Sequence, residues 1–155
     1  MNIHNLARLV IKSGEHILLT KTQFKNGSDY FFLPGGHIEY HETIKEASIR
    51  ELKEEIDIDA DRIKDINLIG VYEYSWDNKG APYHEIAFIC TCTVAGLDSK
   101  IPVKSNERHI SFEWHPINAL DKINFLPIDL RTLLPKWLCN PVSPEKFFAS
   151  NFLTK

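Results

Sequence analysis

Long apolar runs are missing from this 155-residue chain: none approaches the ~18 residues that a membrane-spanning helix needs. Cysteine is scarce. The three present are odd in number, and Cys90 and Cys92 lie two apart in an apolar run with Cys139 far off. That spacing offers neither a disulfide framework nor a zinc site, so reduced, buried thiols in a cytoplasmic protein are expected. Seven Gly and eight Pro are too few for a low-complexity chain. The stretch Met1–Arg8 has no apolar core followed by a small-residue cleavage site, so it does not read as a secretory leader. An excess of positive charge is lacking too. Lys+Arg is 18 against 21 Asp+Glu, a formal net charge of −3, which argues against bulk binding of a nucleic-acid backbone.

What is present is ordinary for one globular domain spanning 1–155: 43% hydrophobic, 25% charged and 11% aromatic residues. Such a length buries well over half of the unfolded surface, enough for a core without staples. The charge is unevenly spread. Between Glu39 and Asp61 stand nine acids and three bases, a local charge of −6, leaving +3 for the rest. Ile44, Ala47, Ile49, Leu52 and Ile56 interleave with those acids at helical spacing, so the segment is expected to fold, and its charge needs neutralising.

Residues 6–12 and 16–22 read as a hairpin around Ser13-Gly14-Glu15. Asn26–Asp29 reads as a loop, and Tyr30–Leu33 as a short strand ended by Pro34-Gly35-Gly36. Thr43 with Glu46 three residues on is a capping-box pattern, predicting a helix from there to about Ile56. Strands are expected at 66–76, 83–94 and 109–114, with a turn at 77–80 and a polar loop over 96–108. A second helix is expected at 128–138, kinked or stopped by Pro135, and an irregular cap from Asn140 on. No repeat or linker is visible. The class that results is α+β, a mixed sheet with helices against it.

On a helical wheel, Ile49, Leu52 and Ile56 fall on one stripe that should face the core. Glu46, Arg50, Lys53 and Asp57 form a mixed-charge stripe, with Glu46 and Arg50 an i, i+4 pair. Glu51, Glu54 and Glu55 form a third face. Like charges one turn apart destabilise a bare helix, and a hard divalent cation such as Mg²⁺ would reverse that cost. The turn just upstream adds backbone groups that can bind a metal or a phosphate.

These residues resemble the Nudix hydrolase family, whose signature runs G-x5-E-x7-R-E-(apolar)-x-E-E-x-G-(apolar). Here it reads Gly36, five residues, Glu42, seven residues, then Arg50-Glu51-Leu52-Lys53-Glu54-Glu55-Ile56-Asp57-Ile58, with Asp57 in place of the last glycine. The match covers 23 residues, with Phe32-Leu33-Pro34-Gly35-Gly36 upstream and Glu113-Trp114-His115-Pro116 and Leu120 downstream also similar. The resemblance implies an α/β/α sandwich and a Mg²⁺-dependent hydrolase, with Mn²⁺ as a substitute. The enzyme would cleave the pyrophosphate of a nucleoside diphosphate linked to another group: a nucleotide sugar such as ADP-ribose, or a nucleoside triphosphate. It implies Glu51, Glu54 and Glu55 as metal ligands, the Gly35 carbonyl as another, and Arg50 as their orienting cation. Gly36 takes a structural place, and Glu42 braces the loop against the helix. Glu107 is the candidate general base and Glu85 the second choice; Glu85 and Glu113 otherwise read as surface acids. Asp tolerates a left-handed helix end, so Asp57 should cost little stability and no chemistry.

For the substrate, Lys21 is a candidate phosphate contact, with a solvated lysine as the competing reading. Tyr72, Tyr74 and Trp76 share one strand face and read either as packing beneath a helix or as a platform for a base or ribose. Tyr83 and Phe31 are similar candidates. His37, His41, His84, His109 and His115 raise a zinc reading, but His37 and His41 fall in a loop and lack a His-Glu-x-x-His helix. No Gly-x-Ser-x-Gly or Cys–His pattern points to a covalent nucleophile. The other class to weigh is a non-catalytic nucleotide-sensing module, against which the full set of signature acids counts. Dimers are common in the family, so a homodimer stays open.

Overall fold

In the strand Asn5-Leu6-Ala7-Arg8-Leu9-Val10-Ile11 both faces carry apolar residues, as a strand covered on two sides requires. The computed structural model describes residues 3–78, 80–139 and 149–150. There this segment is β1 (Ile3–Ser13), followed by β2 (His16–Gln23), β3 (Asp29–Phe32), α1 (Ile44–Ile56), β4 (Ile63–Asn78), β5 (Ala81–Val94), β6 (Ser111–Pro116), α2 (Leu130–Cys139) and β7 (Ala149–Ser150). The sheet runs β3-β2-β1-β5-β4-β7, with β6 also paired to β2. β1 lies parallel to β5 over Ile3–Ile11, and β4 parallel to β7; the other pairs are antiparallel. The sheet is therefore mixed, as expected.

Alternation along β1 divides the core. Leu6 and Val10 join Tyr72, Ile89, Leu130, Leu134 and Trp137 under α2, whereas Leu9 and Ile11 join Leu52, Ile56, Cys90 and Phe112 under α1. One helix thus covers each face, giving the α/β/α sandwich.

Several expectations need correcting. The 13–16 hairpin exists only at its tip, through Lys12↔Ile17 and Ser13↔His16; β1 then leaves for β5 and β2 for β6 and β3. Pro135 does not stop α2, which runs four residues further. Burial of Leu130, Leu134 and Trp137 outweighs the one backbone bond that proline forfeits. The buried positions of α1 are Ala47, Ser48, Leu52, Glu55 and Ile56, so Ile49 lies off the core stripe, half-buried. Ser48 can be buried because its hydroxyl donates to the Ile44 carbonyl at 2.7 Å. Cys90 and Cys92 are buried, which pushes their thiols up to about 11 and about 12. Cys139, past the last buried residue of α2, is exposed. The tail cap lies outside the described residues except for Ala149–Ser150, which pair with Tyr72–Glu73. No described helix is long and apolar enough to cross a membrane.

Candidate active site

The helix that carries the acids is fixed at both ends by its own sequence. Thr43 Oγ1 accepts from the Glu46 N–H at 3.2 Å while Glu46 Oε2 accepts from the Thr43 N–H at 2.8 Å, closing the capping box. At the other end Asp57 takes a left-handed φ of 56°, and the Asp57 and Ile58 N–H groups donate to the Lys53 and Leu52 carbonyls. The residue in the signature glycine's place therefore adopts the conformation a glycine would. Lys53 ties down its side chain, 2.5 Å from Asp57 and 2.8 Å from Asp59.

The turn before the helix is laid along β1. Ala7 and Leu9 N–H groups donate to the Gly36 and Pro34 carbonyls, and Ile38 N–H donates to Asn5, each at 2.9 Å. This closeness explains both glycines. Gly35 has φ 110°, and a Cβ there would strike the Ala7 carbonyl oxygen; a Cβ on Gly36 would strike the Glu51 carboxylate. Across the turn, the Glu55 Oε2 accepts from the Gly35 N–H at 3.1 Å. The 105–109 loop is tied to the helix end by the Asn106 N–H, which donates to the Glu55 carbonyl at 2.8 Å.

These contacts bring Gly35, Gly36, Arg50, Glu51, Glu54, Glu55 and Glu107 onto one cleft of about 470 Å³. Arg50 is its organiser. Its Nε and Nη2 donate to the two oxygens of Glu42, its Nη1 to Glu51 at 2.8 Å and Glu54 at 3.3 Å, and Nη2 also to the His37 carbonyl at 2.8 Å. Glu42 is held below the usual carboxylate range by Arg50, and it also accepts from the Glu39 N–H. The Glu46–Arg50 pair expected from spacing does not form, because Glu46 is taken by its cap and Arg50 by Glu42.

Glu55 is the unusual acid. It is 5% exposed, and burial pushes its carboxyl up to about 7; the Gly35 N–H and Arg8 pull the other way, while Glu51 and Glu107 add to the rise. Positive charge is short beside it. Among the described residues, no three His, Cys, Asp or Glu groups stand together as a ready metal cage; Glu51 and Glu54 are drawn to Arg50, and Glu55 to the Gly35 N–H. The donor set itself is all oxygen, and it includes a buried acid short of counter-charge. It fits a hard divalent cation.

A second cavity of about 450 Å³ meets the cleft at Arg8 and Phe32. Tyr72 and Tyr74, stacked at 5.2 Å, line it with Phe24, Tyr30 and Trp76. The Tyr72 hydroxyl donates to Asp129 Oδ2 at 2.5 Å, and Glu85 borders the same cavity beside Tyr74. Burial pushes both phenols up. The two tyrosines also pack beneath α2, so both readings of this stripe have a counterpart in the structure. On the outer side of α1, a third, open depression is lined by Ile49, Lys53 and Glu42.

Three substrate candidates lie elsewhere. Lys21 sits on the same strand face as Ile17 and Leu19, toward α2, where it is paired with Asp29 at 2.9 Å and Glu113 at 2.8 Å. Glu113 is thus a partner of Lys21 and not a lone surface acid. Phe31 is buried in the α2-side core against His115. Tyr83 lines neither the cleft nor the aromatic cavity and stacks between Trp76 and His4. Arg8 escaped sequence reading altogether, although a signal was there: it is a charge between Leu6 and Val10 on a core-facing strand side.

Residues 4–137 match the NUDIX domain. The chain is 32% identical over 116 residues to an ADP-ribose pyrophosphatase of Methanocaldococcus jannaschii, a stretch that is 75% of this chain and 63% of that protein. It is similar in fold to a NUDIX hydrolase from Nitrosomonas europaea, with TM-score 0.65, 19% identity, and 89% and 90% of the two chains covered. It is also similar to an Ap4A hydrolase of C. elegans, with TM-score 0.62, 22% identity, and 88% and 96% covered.

Proposed function

The chain belongs to the NUDIX domain family, and we propose that it is a divalent-cation-dependent pyrophosphohydrolase acting on a nucleoside diphosphate linked to another group. The observation that carries this reading is the convergence of Glu51, Glu54, Glu55 and Glu107 on one cleft that adjoins an aromatic cavity. ADP-ribose heads the candidate substrates, because the M. jannaschii relative bears that activity in its name; nucleoside triphosphates come second.

Glu51, Glu54 and Glu55 would hold Mg²⁺, or Mn²⁺ in its place. The bound cation neutralises phosphate charge and lowers the pKa of an attacking water. Arg50 fixes the Glu51 and Glu54 carboxylates, so they are oriented before substrate arrives. Glu42 anchors Arg50 and the 39–42 turn together. Glu107 is the general base: its Oε2 lies 3.2 Å from His109 Nε2, leaving Oε1 to accept the water's proton. The nucleoside occupies the aromatic cavity, stacking on its rings.

The test is phosphate or nucleotide release across a panel of ADP-ribose, other nucleotide sugars and nucleoside triphosphates with Mg²⁺. Turnover of at least one nucleoside diphosphate derivative, abolished by chelator, is expected. Tight binding with no turnover would instead make the chain a nucleotide-sensing module.

A further inference from the structure

We propose that Arg8 binds a phosphate of the substrate at the seam between the acidic cleft and the aromatic cavity. The proposal deepens the reading above and rests on it for the identity of the ligand. An anion entering a cleft lined by five carboxylates, those of Glu39, Glu51, Glu54, Glu55 and Glu107, needs a cation with donors to spare. A guanidinium has five N–H donors. Arg50 spends all five on Glu42, Glu51, Glu54 and the His37 carbonyl, so it has none for substrate. His109 is paired with Glu107, and His37 Nε2 shares a hydrogen bond with His4 Nδ1 at 3.1 Å.

Arg8 is different. Its Nη1 donates to the Leu33 carbonyl at 3.2 Å and to the Gly35 carbonyl. Among the described residues, nothing accepts from its Nε or Nη2. Those two nitrogens form one edge of the guanidinium, the fork that meets two phosphate oxygens side by side. The Nη1 tether and the Phe32 ring, 5.3 Å from the guanidinium carbon, fix its plane. The tether also ties up the Gly35 carbonyl, a predicted metal ligand, with a cation. Arg8 borders both cavities, so a phosphate on its free edge stands between a nucleoside in the aromatic cavity and a pyrophosphate in the cleft.

The test is binding of α,β-methylene-ADP, which cannot be cleaved at its bridge, and of adenosine, both with Mg²⁺. Calorimetry and the fluorescence of Trp76, which lines the aromatic cavity, read the affinity. Arg8→Met is expected to weaken the diphosphate about tenfold or more, while adenosine binds as to wild type. Arg8→Lys is expected to recover part of the loss, since it restores charge without the fork. It also serves as the reporter should Arg8→Met fail to fold. Wild-type diphosphate affinity in both variants overturns the proposal, as does absence of diphosphate binding by the wild-type chain. Equal loss of both ligands also overturns it, because that marks a residue that only holds the Gly35 turn. The readout needs no turnover, so a failed hydrolysis panel and a failed Arg8 assignment remain distinct results.

Discussion

The acidic cleft and the aromatic cavity share Arg8 and Phe32 as a wall, yet they are assembled in opposite ways. Most polar groups of the cleft come from one turn and one helix, Gly35 to Glu55, with Glu107 added through the Asn106–Glu55 backbone bond. The cavity draws on β1, β3, β4, β5 and the start of α2, and its polar lock joins Tyr72 to Asp129, 57 residues apart. The cleft is highly charged and the cavity mostly apolar. Chemistry can therefore be held in a short stretch of sequence while selectivity is spread over the fold. If that division is right, damage to the two regions should separate cleanly, turnover in one and affinity in the other.

The largest effect should come from the cleft. Glu54 is 54% exposed at the side chain, so Glu54→Gln costs nothing in the core, yet turnover should fall by about 10²–10³-fold if this carboxylate holds the metal as proposed. Steady-state rates at saturating Mg²⁺ check it, and a Glu54→Gln enzyme of wild-type rate would remove the cleft from the chemistry.

Glu55→Gln sharpens the point, because function and stability should move in opposite directions. Burial pushes the folded carboxyl up to about 7, above its ordinary 4.5, so the folded state binds this proton more tightly than the unfolded state. Metal-free wild type should lose stability at this group as pH rises from about 4.5 to 7, and carry the full penalty above 7. Removing the charge should then stabilise the metal-free protein at pH 8 by roughly 3 kcal/mol, an order-of-magnitude figure, and by little near pH 4. Urea denaturation of both proteins in chelator at the two pH values gives the comparison. A variant no more stable than wild type at pH 8 would mean that Glu55 is not an uncompensated charge.

How far these regions could be read beforehand follows from the same contrast. α1 was legible because its determinants are local: the Thr43–Glu46 cap, the left-handed Asp57, and acids one turn apart. Even there Ile49 was misplaced, since the buried Glu55 turns the core-facing stripe, and a carboxylate does not look like a core residue. Lys21 and Phe31 line neither cavity, because partners remote in sequence hold them: Asp29 and Glu113 pair with Lys21, and His115 packs on Phe31. The charge of Arg8 between Leu6 and Val10 is legible but its role is not, because its partner, the Gly35 carbonyl, lies 27 positions on and meets it only once the turn is laid along β1. The parallel pairing of β1 with β5 has no local signal at all.

A smaller effect is expected in the aromatic cavity. Trp76 is 43% exposed and stacks on Tyr83 at 4.6 Å, so Trp76→Ala should leave folding nearly untouched. Loss of one stacking surface is worth ~1–2 kcal/mol, so KM should rise about five- to thirtyfold with kcat little changed. A fall in kcat with KM unchanged would contradict the division between the two regions.

The smallest effect tests whether the helix end belongs to either region. Asp57→Gly restores the signature residue. It relieves a left-handed conformation that costs a non-glycine residue about 1 kcal/mol, less for Asp than for most. Against that stand the added freedom of glycine in the unfolded chain, about 0.5 kcal/mol or more, and the exposed Lys53–Asp57 pair, which solvent screens. The terms nearly cancel, so Tm should move by no more than about 2 °C. Lys53 keeps Asp59 as a partner, and Asp57 does not line the cleft, so the rate should be that of wild type. A thermal melt and a rate at saturating substrate suffice. A tenfold loss of rate in Asp57→Gly would show that the end of α1 sets the geometry of Glu54 and Glu55, and that the acidic cleft extends a full turn beyond the side chains that line it.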